Sequence, residues 1–125
     1  MKVCVLTSSR ADYGIYRPLL QKFKEDDFFE LSIIAFGTHL SPVHGYTLNE
    51  IEKDGFIVDE CVESLILGDS AEAISTTLGL TITKFSGIWA KKQKSTDIIF
   101  CLGDRYEMLS AVLASVPFNI PIAHI

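Results

Sequence analysis

The sequence has no apolar run long enough to cross a membrane and no surplus of basic residues. A membrane-spanning helix needs about 20 consecutive apolar residues, and the apolar run at residues 3–6 is too short even for the core of a signal peptide. The 125 residues carry a formal net charge of -5, which disfavours a nucleic-acid surface or a basic membrane patch because both depend on clustered lysine and arginine. We therefore expect a cytoplasmic protein that binds neither nucleic acid nor a membrane. A few arginines could still hold a small anion locally, within a Debye length of about 8 Å.

The sequence also lacks the residue spacings of disulfide and metal sites. Its three cysteines, Cys4, Cys61 and Cys101, are odd in number, lie in apolar strand-like runs and form no short pair, so we predict reduced core residues. His39 and His44 lie in one loop with no cysteine or carboxylate nearby at ligand spacing. We therefore predict no bound metal, and we expect these histidines to be solvated or to face a ligand.

Two glycine-rich phosphate-binding motifs are missing as well. Residues 8–14, Ser-Ser-Arg-Ala-Asp-Tyr-Gly, follow the first apolar run but contain neither Gly-x-Gly-x-x-Gly nor Gly-x-x-x-x-Gly-Lys-Ser/Thr. Their absence disfavours a standard dinucleotide-binding fingerprint and a P-loop. Pro18 fits a regular helix only near its start, so we predict a shaped loop over residues 8–15 and a helix that begins close to Arg17. Alternatively, Ser9 and Asp12 form a local helix cap.

The sequence does contain a regular alternation of apolar runs and helical patterns over residues 1–125. Apolar residues make up 48% of the chain, so it can bury a core of its own as one domain. The predicted strands lie at residues 2–7, 31–36, 56–62, 97–103 and 120–125. Strands that alternate with helices predict an α/β fold with a doubly wound, parallel, Rossmann-like sheet, in which the first and fourth strands are neighbours.

Two of the predicted helices carry recognisable local signals. Residues 47–50, Thr-Leu-Asn-Glu, match a capping box, and Ser70 is predicted to be the N-cap of a long helix. That helix has an apolar stripe: Ile74, Leu78, Ile82, Phe85, Ile88 and Trp89. We expect Trp89 to be a core anchor. Gly79 and Gly87 weaken the helix by roughly 1 kcal/mol each relative to alanine, which suggests that they permit close packing.

Residues 97–107 pass from an apolar strand to three charged side chains, Asp104, Arg105 and Glu107, within one turn before the next helix. Ligands of parallel sheets bind at the carboxyl ends of the strands, so we expect these three side chains on the functional rim. Alternatively, Asp104 and Glu107 match Asp-x-x-Glu and only cap the helix.

All three arginines, Arg10, Arg17 and Arg105, follow the first and fourth predicted strands, whereas the lysines are scattered. Arginine grips phosphate with two parallel hydrogen bonds, while lysine acts as a point charge. A partly desolvated carboxylate beside them, Asp12 or Asp104, can serve as a general base. These residues predict a domain that binds a phosphorylated ligand and has the groups for acid–base chemistry.

The turns after the strands carry four motifs in a fixed order: Ser9-Arg-Ala-Asp-Tyr13, Gly37-Thr-His-Leu40, Gly103-Asp-Arg-Tyr-Glu107 and Ala123-His-Ile125. Together they resemble the UDP-N-acetylglucosamine 2-epimerase family, and the Arg-Ala-Asp-Tyr form is similar to its hydrolysing branch, which feeds sialic acid and related nonulosonic acid synthesis. The resemblance spans the whole chain and implies the N-terminal, Rossmann-like half of a glycosyltransferase-B-like fold. It also implies a reaction in which the C2 proton is removed, UDP leaves to give a glycal, and water adds to yield N-acetylmannosamine and UDP.

The resemblance implies that four residues contact the substrate: Arg10, Arg105, Tyr13 and Glu107. The two arginines among them would contact the nucleotide diphosphate. Asp104 would be one of the acid–base carboxylates. Asp12 would order the first loop or contact the substrate, and His39 would line the sugar side. No metal, nicotinamide or other cofactor is implied, because elimination needs none.

The resemblance also carries expectations for the complete protein. A further catalytic glutamate and a uridine-holding C-terminal domain lie beyond Ile125 in the family, so we expect this chain to be a truncated domain with little or no activity alone. The donor is a UDP-sugar, either N-acetylglucosamine or a diacetamido-trideoxy hexose, and the full-length protein is expected to be a homo-oligomer. The competing interpretation is a flavodoxin-like module that binds a nucleotide or anion without chemistry.

Overall fold

The computed structural model describes residues 1–125 and contains five strands in one parallel sheet. The strands are β1 (Lys2–Thr7), β2 (Glu30–Phe36), β3 (Glu60–Val62), β4 (Ile98–Cys101) and β5 (Ile122–His124). Their order across the sheet is β3-β2-β1-β4-β5, with every neighbouring pair parallel. The predicted doubly wound, Rossmann-like fold is confirmed, including the central position of the first strand beside the fourth.

Four helices connect the strands and cover both faces of the sheet: α1 (Arg10–Glu25), α2 (Leu48–Lys53), α3 (Ala71–Lys92) and α4 (Tyr106–Ser115). Short 3-10 turns occupy Gly37–Leu40, Pro42–His44, Gln93–Ser95 and Val116–Phe118. None of the helices combines the length and the apolar character that a bilayer crossing requires.

The core is divided between the two faces because side chains alternate along each strand. In β1, Cys4 and Leu6 pack with α3 and α4, while Val3 and Val5 pack with α1 and α2. Trp89 is fully buried on the first face, and its indole N–H donates to the Ala111 carbonyl at 3.0 Å. The prediction that Trp89 is a core anchor is confirmed. Strand β1 is buried on both faces, as its unbroken apolar run indicates.

The first helix begins earlier than predicted. Ser9 is its N-cap, and Ser9 and Asp12 form a capping box, so the alternative of a local cap is the one observed. Pro18 lies inside the helix rather than near its start. The cap and the burial of Tyr13 and Tyr16 hold the helix together across the backbone hydrogen bond that proline cannot make.

The capping box predicted at Thr47 is wrong, although a helix does follow it. Thr47 makes no side-chain cap to that helix, because its hydroxyl is bonded to a histidine elsewhere. The third strand is at the edge as expected, but only three residues pair, and Cys61 within it is exposed rather than a core residue.

The buried side of α3 also differs from the predicted stripe. Ser70 caps the helix as expected, but the buried residues are Thr77, Thr81, Phe85 and Trp89, while the four aliphatic members of the stripe are only half-buried. The threonines face a polar loop: Thr77 accepts from the Ile66 N–H at 2.9 Å and Thr81 shares a 2.7 Å hydrogen bond with Ser64. The prediction that Gly79 and Gly87 permit close packing is wrong, since a side chain at either position would meet open space.

Candidate functional site

Three loops leave the carboxyl edge of the sheet side by side and form a rim. β1 and β4 pair in parallel, with Val5 opposite Phe100, so the loops that follow them leave the same edge. The loop after β2 packs on the loop after β1, where the Thr38 N–H donates to the Ser8 carbonyl at 2.9 Å. Gly37 permits this contact, because it has φ +60 and a Cβ there would lie 2.8 Å from the Ser8 carbonyl oxygen.

Asp12 holds the loop after β1 in shape. Its carboxylate accepts the backbone N–H groups of Ser8 and Ser9, each at 2.8 Å, and their two hydroxyls, each at 3.0 Å. Thr7 donates a further hydrogen bond at 3.2 Å. The carboxylate is 5% exposed, so it is saturated by donors from its own loop. Of the two expectations for Asp12, ordering the loop is the one that this geometry matches.

His39 lies directly beneath the rim. Its Nε2 is 2.9 Å from the Thr7 hydroxyl, its Nδ1 is 2.8 Å from the Thr47 hydroxyl, and Asp12 Oδ1 is 4.0 Å from Nε2. The side chain is fully buried, so the expectation that it is solvated, faces a ligand or lines the sugar side must be corrected. Burial lowers the pKa of His39 in spite of the opposing charges of Asp12 and Glu50, and the neutral ring joins β1, the loop after β2 and α2.

Tyr13 points away from the rim, towards α2. Its hydroxyl donates to Asp54 at 2.6 Å, and burial followed by this hydrogen bond raises the pKa of Tyr13. Arg17 also binds Asp54, at 2.7 Å, and therefore does not join the other arginines. Both side chains fasten α1 to the end of α2, so in this structure the Tyr13 hydroxyl has a protein partner instead of a free path to a ligand.

The two remaining arginines lie on the rim with contrasting partners. Arg10 is highly exposed, and its Nε lies 3.2 Å from Glu50. Arg105 makes a two-point contact with Glu107, from Nη2 at 2.8 Å and from Nε at 3.2 Å. The hydrogen bond to Glu107 raises the pKa of Arg105, and Glu107 itself is buried. Glu107 thus orients the half-exposed Arg105 guanidinium from below.

Asp104 is the exposed carboxylate of the rim. Helix α4 begins at Tyr106 with Arg105 as its N-cap and no side-chain capping bond, so the interpretation of Asp104 as a cap is wrong. The turn before it depends on Gly103, which has φ +75 and whose N–H donates to the Ile125 carbonyl at 3.1 Å. The Asp104 side chain makes no hydrogen bond or ion pair within the chain, which leaves it free to meet a ligand.

Sequence reasoning missed the polar layer under the rim. Thr7, Ser8 and Thr47 supply its hydroxyls, and Glu50 and Asp54 of the α2 region hold Arg10 and the Tyr13 hydroxyl. The run Thr-Ser-Ser at the end of an otherwise apolar strand was the one available signal. The partners on α2 are about 40 residues away and share no spacing pattern with the loop.

Comparison with known proteins identifies relatives of the whole chain. Residues 21–125 match the sequence model of a family described as UDP-N-acetylglucosamine 2-epimerase. The UDP-N,N'-diacetylbacillosamine 2-epimerase (hydrolyzing) of Legionella pneumophila is 31% identical over 99% of this chain and 32% of its own length. The GDP/UDP-N,N'-diacetylbacillosamine 2-epimerase (hydrolyzing) of Campylobacter jejuni is 34% identical over the same shares. The chain therefore spans about a third of the length of these curated relatives.

A solved structure shares the fold. The crystal structure of UDP-GlcNAc 2-epimerase from Neisseria meningitidis bound to UDP-GlcNAc superposes with a TM-score of 0.78 and 15% identity, over 100% of this chain and 31% of that one. The chain thus has the fold of part of a glycosyltransferase-B-like protein, as the motifs imply.

Proposed function

Because this chain belongs to the UDP-N-acetylglucosamine 2-epimerase family, we propose that it is the N-terminal part of the catalytic unit of a hydrolysing UDP-sugar 2-epimerase. A base takes the proton from C2 of the sugar, the C1–O bond breaks, and UDP leaves with the bonding electrons, which gives a 2-acetamidoglycal. Water then adds its hydroxyl to C1 while a proton returns to C2 from the opposite face. With UDP-N-acetylglucosamine the products are N-acetylmannosamine and UDP.

Some of the rim residues contact the substrate, and others hold those residues in position. Arg10 and Arg105 bind the diphosphate, which stabilises the charge that develops as UDP leaves. Asp104 takes part in proton transfer at C2. Asp12 and His39 act as positioning residues beneath them, a narrower role for both than the motifs alone imply.

Glu107 and Tyr13, the other two residues expected to contact the substrate, also act through neighbouring residues. Glu107 orients the Arg105 guanidinium by its two-point contact, and Tyr13 fixes α1 to α2 through Asp54. The observation that supports the proposal most is the parallel pairing of β1 with β4, because it brings the Arg10 loop and the unpartnered Asp104 to one edge of the sheet.

The rest of the catalytic unit would lie in the remainder of the full-length protein. That part would contribute a further carboxylate and a uridine-holding domain, so the 125-residue chain alone is expected to have little or no activity. We further propose that the full-length protein is a homo-oligomer. Robust UDP release by the isolated chain would contradict the assignment.

The test is product analysis by NMR with the full-length protein in heavy water. UDP-N-acetylglucosamine and a UDP-diacetamido-trideoxy hexose are supplied separately. We expect free UDP and a C2-epimerised sugar that carries deuterium at C2, because the abstracted proton exchanges with solvent. UDP release without deuterium at C2 would exclude elimination, and binding of UDP with no sugar product would favour the non-catalytic binding module.

A further inference from the structure

The histidine of the motif at residues 123–125 is bonded to the turn that carries Asp104. β5 pairs with β4 in parallel, with His124 opposite Cys101, so β5 ends beside the turn that follows β4. The His124 Nε2 lies 2.8 Å from the Gly103 carbonyl oxygen, across 21 residues of sequence. A carbonyl oxygen can only accept a hydrogen bond, so Nε2 carries the proton and donates it. His124 therefore contacts the functional edge from the side opposite to β1.

The turn between β4 and α4 is held by bonds from β5 rather than by its own residues. Gly103 has φ +75, and glycine leaves the backbone free to adopt many conformations. Helix α4 begins after it without a side-chain cap. Two backbone bonds join the turn to β5: the Gly103 N–H donates to the Ile125 carbonyl at 3.1 Å, and the Ile125 N–H donates to the Cys101 carbonyl at 3.0 Å. His124 supplies the one side-chain hydrogen bond that Gly103 or Asp104 receives.

The Gly103 carbonyl is the part of this turn that controls the direction of Asp104. This carbonyl and the Asp104 N–H belong to one planar peptide unit, so a bond that fixes the oxygen also limits the rotation of the whole plane. The Asp104 side chain leaves the backbone directly after that plane and bonds to no other group in the chain. Its position therefore follows from the peptide that precedes it.

On the basis of the proposed function, we infer that His124 is a positioning residue for the acid–base step and acts on Asp104 through the Gly103 carbonyl. A base must lie within hydrogen-bond reach of the proton that it takes, and a misplacement of about 1 Å can lower the rate about 100-fold. Loss of the His124 bond should therefore lower kcat. KM should change less, because the Arg105 guanidinium is held separately by Glu107.

A purely structural role for His124 leads to a different expectation. A hydrogen bond that only fastens β5 to β4 would act independently of the charge at position 104. The effects of independent substitutions on a rate multiply, to within about twofold, whereas substitutions that act through one group do not. The double variant of His124 and Asp104 therefore separates positioning from simple support of the fold.

The experiment measures kcat and KM of the full-length protein with UDP-N-acetylglucosamine and with a UDP-diacetamido-trideoxy hexose, well below the melting temperature of every variant. His124→Leu keeps a side chain in place but removes the donor, so kcat should fall by about 10- to 100-fold. His124→Gln offers an amide N–H to the same carbonyl, so kcat should stay within about threefold of the wild type.

Two double variants complete the test. In the Asp104→Asn background, the further loss caused by His124→Leu should shrink to less than about twofold, because the group that His124 positions has lost its function. Asp27→Asn provides the matched background, since Asp27 is an exposed aspartate between α1 and β2 at the opposite edge of the sheet. There the full loss caused by His124→Leu should remain.

Several results would overturn the inference, and they differ in what else they affect. A kcat of His124→Leu within about threefold of the wild type, or an equal loss in both Asp104 backgrounds, would refute the positioning role. Equal losses in His124→Leu and His124→Gln would exclude the donated hydrogen bond as its means. With deuterium at C2 of the product, all three leave the proposed function intact. Failure of both donors to yield a C2-deuterated product would refute the proposed function itself, and this inference with it.

Discussion

Replacing Asp104 with asparagine removes one negative charge from the rim and nothing from the fold. The side chain is exposed, does not cap α4 and bonds to no other group in the chain. Surface substitutions of this kind change the free energy of unfolding by less than about 0.5 kcal/mol. We therefore expect the melting temperature of the Asp104→Asn variant to match that of the wild-type protein.

Activity should respond very differently to the same substitution. An asparagine amide keeps the shape of the carboxylate but can neither take nor return a proton at neutral pH. Loss of a positioned acid–base group typically lowers the rate about 100- to 10,000-fold, which corresponds to about 3 to 5 kcal/mol of activation free energy. The decrease should fall on kcat, because Asp104 is proposed to act in the chemical step rather than in holding the diphosphate.

The assay follows UDP release and deuterium incorporation at C2 by the full-length protein, with thermal unfolding measured on the same samples. Asp27→Asn is the matched control: Asp27 is also an exposed aspartate, but it lies between α1 and β2 at the opposite edge of the sheet. It should lose neither stability nor activity. Turnover of Asp104→Asn within tenfold of the wild type, at equal stability, would refute the assignment of Asp104 to the chemistry.

Three further predictions concern the layer that supports the rim. Asp12→Ala leaves the buried N–H groups of its loop without an acceptor, each costing about 1–3 kcal/mol, so urea unfolding should show a loss of about 2 to 6 kcal/mol; a loss below 1 kcal/mol would contradict the role of Asp12. Glu107→Gln frees the Arg105 guanidinium from its two-point contact, so KM for the UDP-sugar should rise more than kcat falls, and the opposite pattern would speak against positioning. The pKa of His39 is lowered in the folded chain, so the unfolded chain binds more protons in acid. The free energy of unfolding should therefore fall as the pH drops below about 6.5, by at most about 1.4 kcal/mol per pH unit. The slope between pH 7 and pH 5 should be shallower in His39→Gln, and an identical slope would exclude His39 as its source.

The sheet and its functional edge could be predicted because their signals are local in the sequence. Each central strand is an unbroken apolar run, and each is followed at once by polar residues, as at residues 97–107. Winding rules then fix which strands are neighbours. This reasoning brought Arg10 and Asp104 to one edge correctly, since β1 and β4 do pair.

The errors arose where tertiary contacts outweighed a local preference. Pro18 favours a late start for α1, but the capping box at Ser9 and the burial of two tyrosines stabilise the helical turns that precede it. Leu20 and Phe23 are buried after it. Apolar spacing predicts only part of the buried stripe in α3. Phe85 and Trp89 are buried as expected, but Thr77 and Thr81 are buried as well, because they face a loop whose polar groups need partners. A hydrophobic pattern reports which side chains avoid water, and it does not report which neighbour a helix meets.

The two aspartates that follow β1 and β4 show how environment separates roles that sequence treats alike. Asp12 is buried, and its carboxylate oxygens already accept hydrogen bonds from donors of its own loop, so the charge stabilises that loop. Asp104 is exposed on a turn that Gly103 and not a side chain determines, so its charge remains available to a ligand. A carboxylate can move a proton only if its oxygens can leave their partners, and this condition favours Asp104 over Asp12 for the proposed acid–base role.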